Sequence, residues 1–239
     1  KSIRNGYNTY MNTKHKKPTL TKKQRHKLRV QQVRRQKIFL TCLFLLIVGC
    51  ILLRFSKFSG RQEEAHQINA ACEAYRDEVS SEAAQYDMSD YVDLILAVMM
   101  QESSGQGTDP MQSSEGAYNT RYPQQPNGIT DPSYSISCGI QELKYALEKA
   151  VCTGPTDLSK IRLALQAYNF GADSYFAYLE ENGQTVWTAQ SAQAFAQMAS
   201  GNTQRDEDDP LHDPAGPWDY GDQYYPDHVL RYYHLDNNS

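Results

Sequence analysis

The 239-residue sequence has no convincing run of alternating apolar and polar residues, which argues against a core built on β-sheet. Cysteine is scarce. Of five, Cys42 and Cys50 sit in one apolar run, leaving Cys72, Cys138 and Cys152. Three thiols cannot all pair, and a continuous helix over 138–151 would hold Cys138 and Cys152 about 20 Å apart. Buried free thiols are therefore expected, and no motif supports a Cys-His catalytic pair. The sharpest absence is of acid: residues 1–37 contain thirteen Lys or Arg and no Asp or Glu. Residues 61–239 reverse this, with nine Lys or Arg against 28 Asp or Glu, a net charge of −19. The overall charge of −4 conceals two opposite parts.

Between them, residues 38–53 are uncharged and apolar, and Phe55 and Phe58 extend the run beyond Arg54. At ~1.5 Å per residue this is short for a ~30 Å hydrocarbon core, but flanking Lys and Arg snorkel and complete the span. Residues 38–58 are read as a single transmembrane signal anchor, and residues 1–37 as a basic cytoplasmic tail without its own fold. The positive-inside rule then places the acidic part outside the cell. A cleaved signal peptide is the alternative; the long basic region and the lack of a small-residue cleavage site count against it. Basic tails also bind nucleic acid. Here the basic block adjoins the apolar run directly, so topology and anionic lipid explain it with fewer assumptions and no nucleic-acid partner is assigned.

The remaining chain is long enough for one domain with a real core, assigned to 63–235. Ile68, Cys72, Tyr75, Val79, Ala83 and Tyr86 recur at helical spacing over about six turns. Ile136, Ile140, Leu143, Leu147 and Ala150 form a second stripe, and Leu158, Ile161, Leu165 and Tyr168 a third, with a stop and restart at Gly154-Pro155. Residues 189–199 and 226–234 read as further helices. The loops 105–132 and 201–221 are long for a compact domain, which makes them functional or disordered. The first is expected to wall a cleft and to hold any minor β element. The acidic run at 206–209 reads as a solvated flap, with metal binding as its alternative; no metal site and no cofactor are assigned.

One helix stands out. Residues 90–100, with Ser89 as the expected N-cap, are apolar on nearly every face and deliver Glu102 into the polar turn Gln101-Glu102-Ser103-Ser104-Gly105. A carboxyl at the lip of an apolar core has its charged form disfavoured, which is how a general acid is made. The bland alternative is a core helix ending in a solvated glutamate.

Downstream, Pro110-Met111-Gln112-Ser113, then Ser135-Ile136 leading to Gly139 and Leu143, then Ala167-Tyr168-Asn169-Phe170-Gly171 follow Glu102-Ser103 in order. Together these motifs resemble the soluble lytic transglycosylase and goose-type lysozyme superfamily, and most closely the glycosidase domain of cell-wall hydrolases of Gram-positive conjugative elements. Pro110, Ser135 and Phe170 depart from the pattern, and the bulk of Phe170 is expected to reshape a sugar subsite. The resemblance implies an all-α, lysozyme-like domain. It also implies cleavage of the β-1,4 bond between N-acetylmuramic acid and N-acetylglucosamine, either as a muramidase or as a lytic transglycosylase.

In that reading Glu102 is the acid, and Ser103, Met111, Gln112, Tyr168, Asn169 and Tyr225 bind or frame the substrate. Asp109 is the leading candidate for a second carboxylate, ahead of Glu115 and Asp131. Peptidoglycan glycan strands are the implied partner, with conjugation or secretion machinery as the setting. A wall-binding or assembly module without chemistry is the rival. The ends at Lys1 and Ser239 also fit part of a longer hydrolase, whose relatives often carry a papain-like peptidase next. The −19 charge is expected to restrain free diffusion through an anionic wall.

Overall fold

The computed structural model describes residues 66–209 and 212–234. The basic tail and the proposed membrane anchor lie outside these residues. Among those described, no helix is long and apolar enough to cross a membrane.

The described residues form eight α-helices. They are α1 (Ala70–Glu73), α2 (Arg76–Gln85), α3 (Val92–Glu102), α4 (Pro132–Lys149), α5 (Leu158–Phe170), α6 (Ala172–Glu181), α7 (Ala189–Ala199) and α8 (Tyr225–Leu230). The only β feature among them is an isolated bridge between Gln204 and Trp218, so the 105–130 loop carries no β element. The all-α expectation matches this content.

Local signals explain the boundaries. Asp131 caps α4 by accepting from the backbone N–H of Ser133 and Tyr134, with Pro132 at the first helical position. This role accounts for Asp131, one of the carboxylates considered for catalysis. Asp157 caps α5 through Lys160, and Thr188 and Ser191 form a reciprocal capping box on α7. Three expectations need correction. The first stripe is two helices, broken where Tyr75 N–H turns back to the Cys72 carbonyl. Ser89 opens a 3-10 turn over Ser89–Tyr91 in place of capping α3. The sequence reading missed α6, which starts after Gly171 reverses the chain at φ 85°, a conformation open to glycine.

The core gathers around α3 and α5. Leu94, Ile95, Leu96, Ala97, Val98 and Met99 are all fully buried, so α3 is enclosed on every face, as its composition implies. α5 packs against α4, α6 and α8, while α3 packs against α2 and α8. Phe170 lies in an aromatic cluster, its ring centroid 5.3 Å from Tyr175, 5.1 Å from Phe195 and 5.6 Å from Tyr220. Its bulk goes mainly into this core, which explains how a large residue is tolerated where the superfamily has a small one.

Gly139 on α4 fixes how closely the loop after α3 approaches. A Cβ there would stand 2.6 Å from Met111 Cβ and 2.9 Å from its Cε. Gly139→Ala is therefore expected to lower stability despite the roughly 1 kcal/mol that alanine gains in a helix, because overpacking costs about 1–3 kcal/mol. Urea denaturation of Gly139→Ala, Met111→Ala and the double variant should show non-additive losses, since truncating Met111 makes room for the new methyl. Additive losses would place the clash elsewhere.

Candidate active site

Glu102 is the last residue of α3, one turn beyond fully buried Met99. Its carboxyl is pushed up to about 7, first by burial, which penalises the charge, and further by the nearby Asp222 and Asp109. The Tyr225 hydroxyl donates to Glu102 Oε1 and pulls the other way. Tyr225 is itself buried on α8 and lies in a stacked arrangement with Tyr168, ring centroids 6.3 Å apart. The helix end is further pinned by Arg231, whose guanidinium donates to Gln101 Oε1 at 2.9 Å.

Two cavities, each of about 610 Å³, meet at this residue. Both are lined by Glu102, Gln112, Asn169 and Gly221. One continues past Tyr168, Tyr118 and Glu142, the other past Tyr225, His228 and Arg231. A chain molecule threaded along both would pass the acid midway.

The loop carrying Met111 and Gln112 is organised by Asp109, which is 2 % exposed. Asp109 Oδ1 accepts from Ser113 N–H at 3.1 Å and from the Ser135 hydroxyl at 2.6 Å. Asp109 Oδ2 accepts from Ser114 N–H at 3.2 Å and from the Ser114 hydroxyl. With both oxygens committed and no access to the cavities, Asp109 lacks the free oxygen that a second catalytic carboxylate requires. The geometry makes it the loop's anchor, where the sequence pattern points to a second catalytic carboxylate. Ser135, the residue that departs from the superfamily's Asn, also accepts from Met111 N–H at 3.1 Å.

The other expected residues divide between cleft and frame. Gln112 reaches the junction of the cavities from a left-handed backbone, φ 49°, and its amide donates to the Asp109 carbonyl and to Asn127 Oδ1. Asn169 lines both cavities, and its Oδ1 accepts from Asp222 N–H at 2.7 Å. Tyr168 was expected to hold the acid; its hydroxyl instead donates to the Met111 carbonyl at 2.9 Å, and Tyr225 is the residue on the acid. Met111 is fully buried beneath the cleft. Ser103 braces the loop by donating to the Pro110 carbonyl at 2.8 Å and lines neither cavity. The acidic run at 206–209 assembles no metal-binding group among the described residues.

Glu102, its carboxyl raised, thus stands where two cavities meet, and a family model described as lysozyme-like matches residues 70–233. The chain belongs to the lysozyme-like family. It is 35 % identical over 173 residues, 72 % of its length, to the bifunctional muramidase/DL-endopeptidase CwlT of Bacillus subtilis, of which it covers 43 %. It is 32 % identical to pneumococcal vaccine antigen A of Streptococcus pneumoniae, with 59 % of this chain and 65 % of that protein aligned. A crystal structure from Staphylococcus aureus, of a protein similar to a lipoprotein of the NLP/P60 family, superposes with a TM-score of 0.60 at 27 % identity. That match covers 72 % of this chain and 56 % of the other. The chain thus spans about half the length of several of its relatives.

Missed by the sequence reading are Glu142 and the Asp222–His228 pair, whose Oδ2 and Nδ1 are 2.5 Å apart. Glu142 was readable in principle, because Ser135, Gly139 and Glu142 fall at helical spacing on one face of α4.

Burial of Glu102 has a consequence for stability. Its carboxyl titrates near 7 in the folded chain against an ordinary 4.5, so the folded state holds a proton that the unfolded state has lost between those values. Its contribution is most favourable below about pH 4.5 and is lost as pH rises through about 7. Glu102→Gln, neutral at every pH, should match the wild type in stability near pH 4. By pH 8 it should exceed it by roughly 1–3 kcal/mol in urea unfolding. A gap that does not change with pH would contradict the assignment.

Proposed function

We propose that this chain is a membrane-anchored peptidoglycan hydrolase that cleaves the β-1,4 bond between N-acetylmuramic acid and N-acetylglucosamine. The observation that carries the reading is the Glu102 carboxyl, half-buried, titrating near neutral pH and exposed to two cavities that meet at it. A glycan strand laid through both would bring a glycosidic oxygen past a group that still holds a proton in a substantial share of molecules at neutral pH. Proton transfer from Glu102 to that oxygen lets the bond to the anomeric carbon break, with positive charge developing on the sugar ring. The Glu102 carboxylate left behind faces that charge, and the Tyr225 hydroxyl supports the anion.

The muramidase half of the CwlT name agrees with this chemistry. The endopeptidase half finds no support among the described residues. Burial pushes the Cys72 thiol up to about 11 and raises Cys138 as well, the reverse of what a nucleophilic thiolate needs. Cys152 contacts the Gly154 carbonyl and the Tyr91 hydroxyl. The anchor, with the domain outside the cell, rests on the basic tail and apolar run of the sequence. Local opening of the wall for a conjugation or secretion apparatus is the setting that such an anchored cutter fits.

Incubating the wild-type chain and Glu102→Gln with purified peptidoglycan, and reading released muropeptides by mass spectrometry, tests the proposal. Loss of the general acid should slow release by about 10²–10⁴-fold. Binding to the wall without release by either protein would replace the enzyme with a wall-binding module.

A further inference from the structure

The cleft holds a second carboxyl group that the loop network does not use. Glu142 projects from α4, and its face of that helix is already committed to the site. Ser135, seven residues earlier, anchors Asp109 and Met111, and Gly139, three residues earlier, receives the Met111 side chain. The next position on this face reaches the cavity that contains Glu102, Gln112 and Tyr168. Gly116, in the opposite wall, leaves room for the carboxylate: a Cβ there would lie 1.4 Å from Glu142 Oε1.

Glu142 Oε1 is buried and has no hydrogen-bond partner. A carboxyl oxygen withdrawn from solvent and left unpaired costs free energy unless a water or a substrate group completes it. Asp109, by contrast, has both oxygens filled, and Asp131 is spent on the cap of α4. Glu115 lines the same cavity but is exposed, with no fixed partner to orient it. Glu142 alone of these is fixed on a helix, part-buried and unpaired at one oxygen. Burial pushes its carboxyl up to about 7, with Asp109 and Glu102 adding to the rise and the backbone amides of Tyr118 and Ala117 opposing it. Two interacting carboxyls of this kind favour the state with one proton between them, which supplies one acid and one base.

We infer that Glu142 is the second carboxylate of the cleft: its carboxyl group, on the wall of the cavity that contains Glu102, holds the acceptor water and takes its proton as that water attacks the anomeric carbon. The step balances. Glu102 gives its proton to the glycosidic oxygen as the bond from that oxygen to the anomeric carbon breaks. The water oxygen bonds to that carbon and its proton goes to Glu142. Exchange with solvent then returns Glu102 to its acid form and Glu142 to its base form. The products are a reducing muramic acid end and a free 4-hydroxyl on the glucosamine. Without the water, the muramoyl C6 hydroxyl is the remaining acceptor, and the product is a 1,6-anhydro end.

The inference rests on the glycan-cleaving reading above, and the test separates the two. The 239-residue chain in detergent is incubated with peptidoglycan in ¹⁸O-labelled water, and the released muropeptides are weighed. The expected result is one ¹⁸O at each new reducing end. In Glu142→Gln, hydrolysis should fall by about 10²-fold or more and the anhydro share of the products should rise, while Glu102→Gln abolishes both products. Thermal unfolding shows whether Glu142→Gln folds; the isotope result on the wild type needs no variant. Wild-type release of anhydro ends alone would overturn the role of Glu142 and leave glycan cleavage standing. Unchanged rate and product ratio in a folded Glu142→Gln would also overturn it. No release by the wild type would remove both readings together.

Discussion

The structure turns on holding one carboxyl group half out of water at the end of a helix whose middle water does not reach. Six consecutive residues of α3 are fully buried before Glu102 emerges. That enclosure holds the acid near neutrality and fixes its position, because the helix behind it cannot move without opening the core. Tyr225 supplies the counterweight. A hydroxyl from α8 stabilises the carboxylate once it forms, so the site is poised for both protonation states. Raising a carboxyl by burial costs stability above neutral pH, and the two carboxyls pushed up to about 7, Glu102 and Glu142, line the same cavity.

Around this group the domain spends its polar interactions on geometry. The loop between α3 and α4 has no secondary structure, yet it is ordered from within. Asp109 gathers Ser113, Ser114 and Ser135, and Ser135 in turn accepts from Met111. Tyr168 secures the Met111 carbonyl from α5. The outcome is that Gln112 is presented to the junction of the cavities from a strained left-handed backbone, which tertiary contacts on both sides maintain. A buried acid that looks catalytic by position is here the centre of a scaffold. The group with an unfilled oxygen stands across the cavity on α4.

The helices were legible where sequence periodicity and capping agreed. α4, α5 and α7 combine apolar stripes with Asp131, Asp157 or Thr188 at their starts, and their spans follow. α1 and α2 share one stripe, and periodicity alone carries no mark of the break at Tyr75. α6 escaped because Ala172–Glu181 is mixed in polarity and buries only Tyr175 and Leu179. In the site, Glu102 was legible from the abrupt change between an apolar helix and a polar turn. The division between Asp109 and Glu142 was not. Whether a carboxylate is saturated or unpaired depends on loop contacts 4 to 26 residues away, which spacing along the chain does not encode.

The most direct test is the titration of Glu102 itself. With ¹³C-labelled glutamate in the protein, carboxyl chemical shifts followed by NMR from pH 3 to pH 9 report each ionisation, and the signal absent from Glu102→Gln identifies the group. A midpoint near 7 for that signal is the predicted result. A midpoint near the ordinary 4.5 would mean that the carboxyl is solvated, and that this cleft has no acid ready to give up a proton at neutral pH.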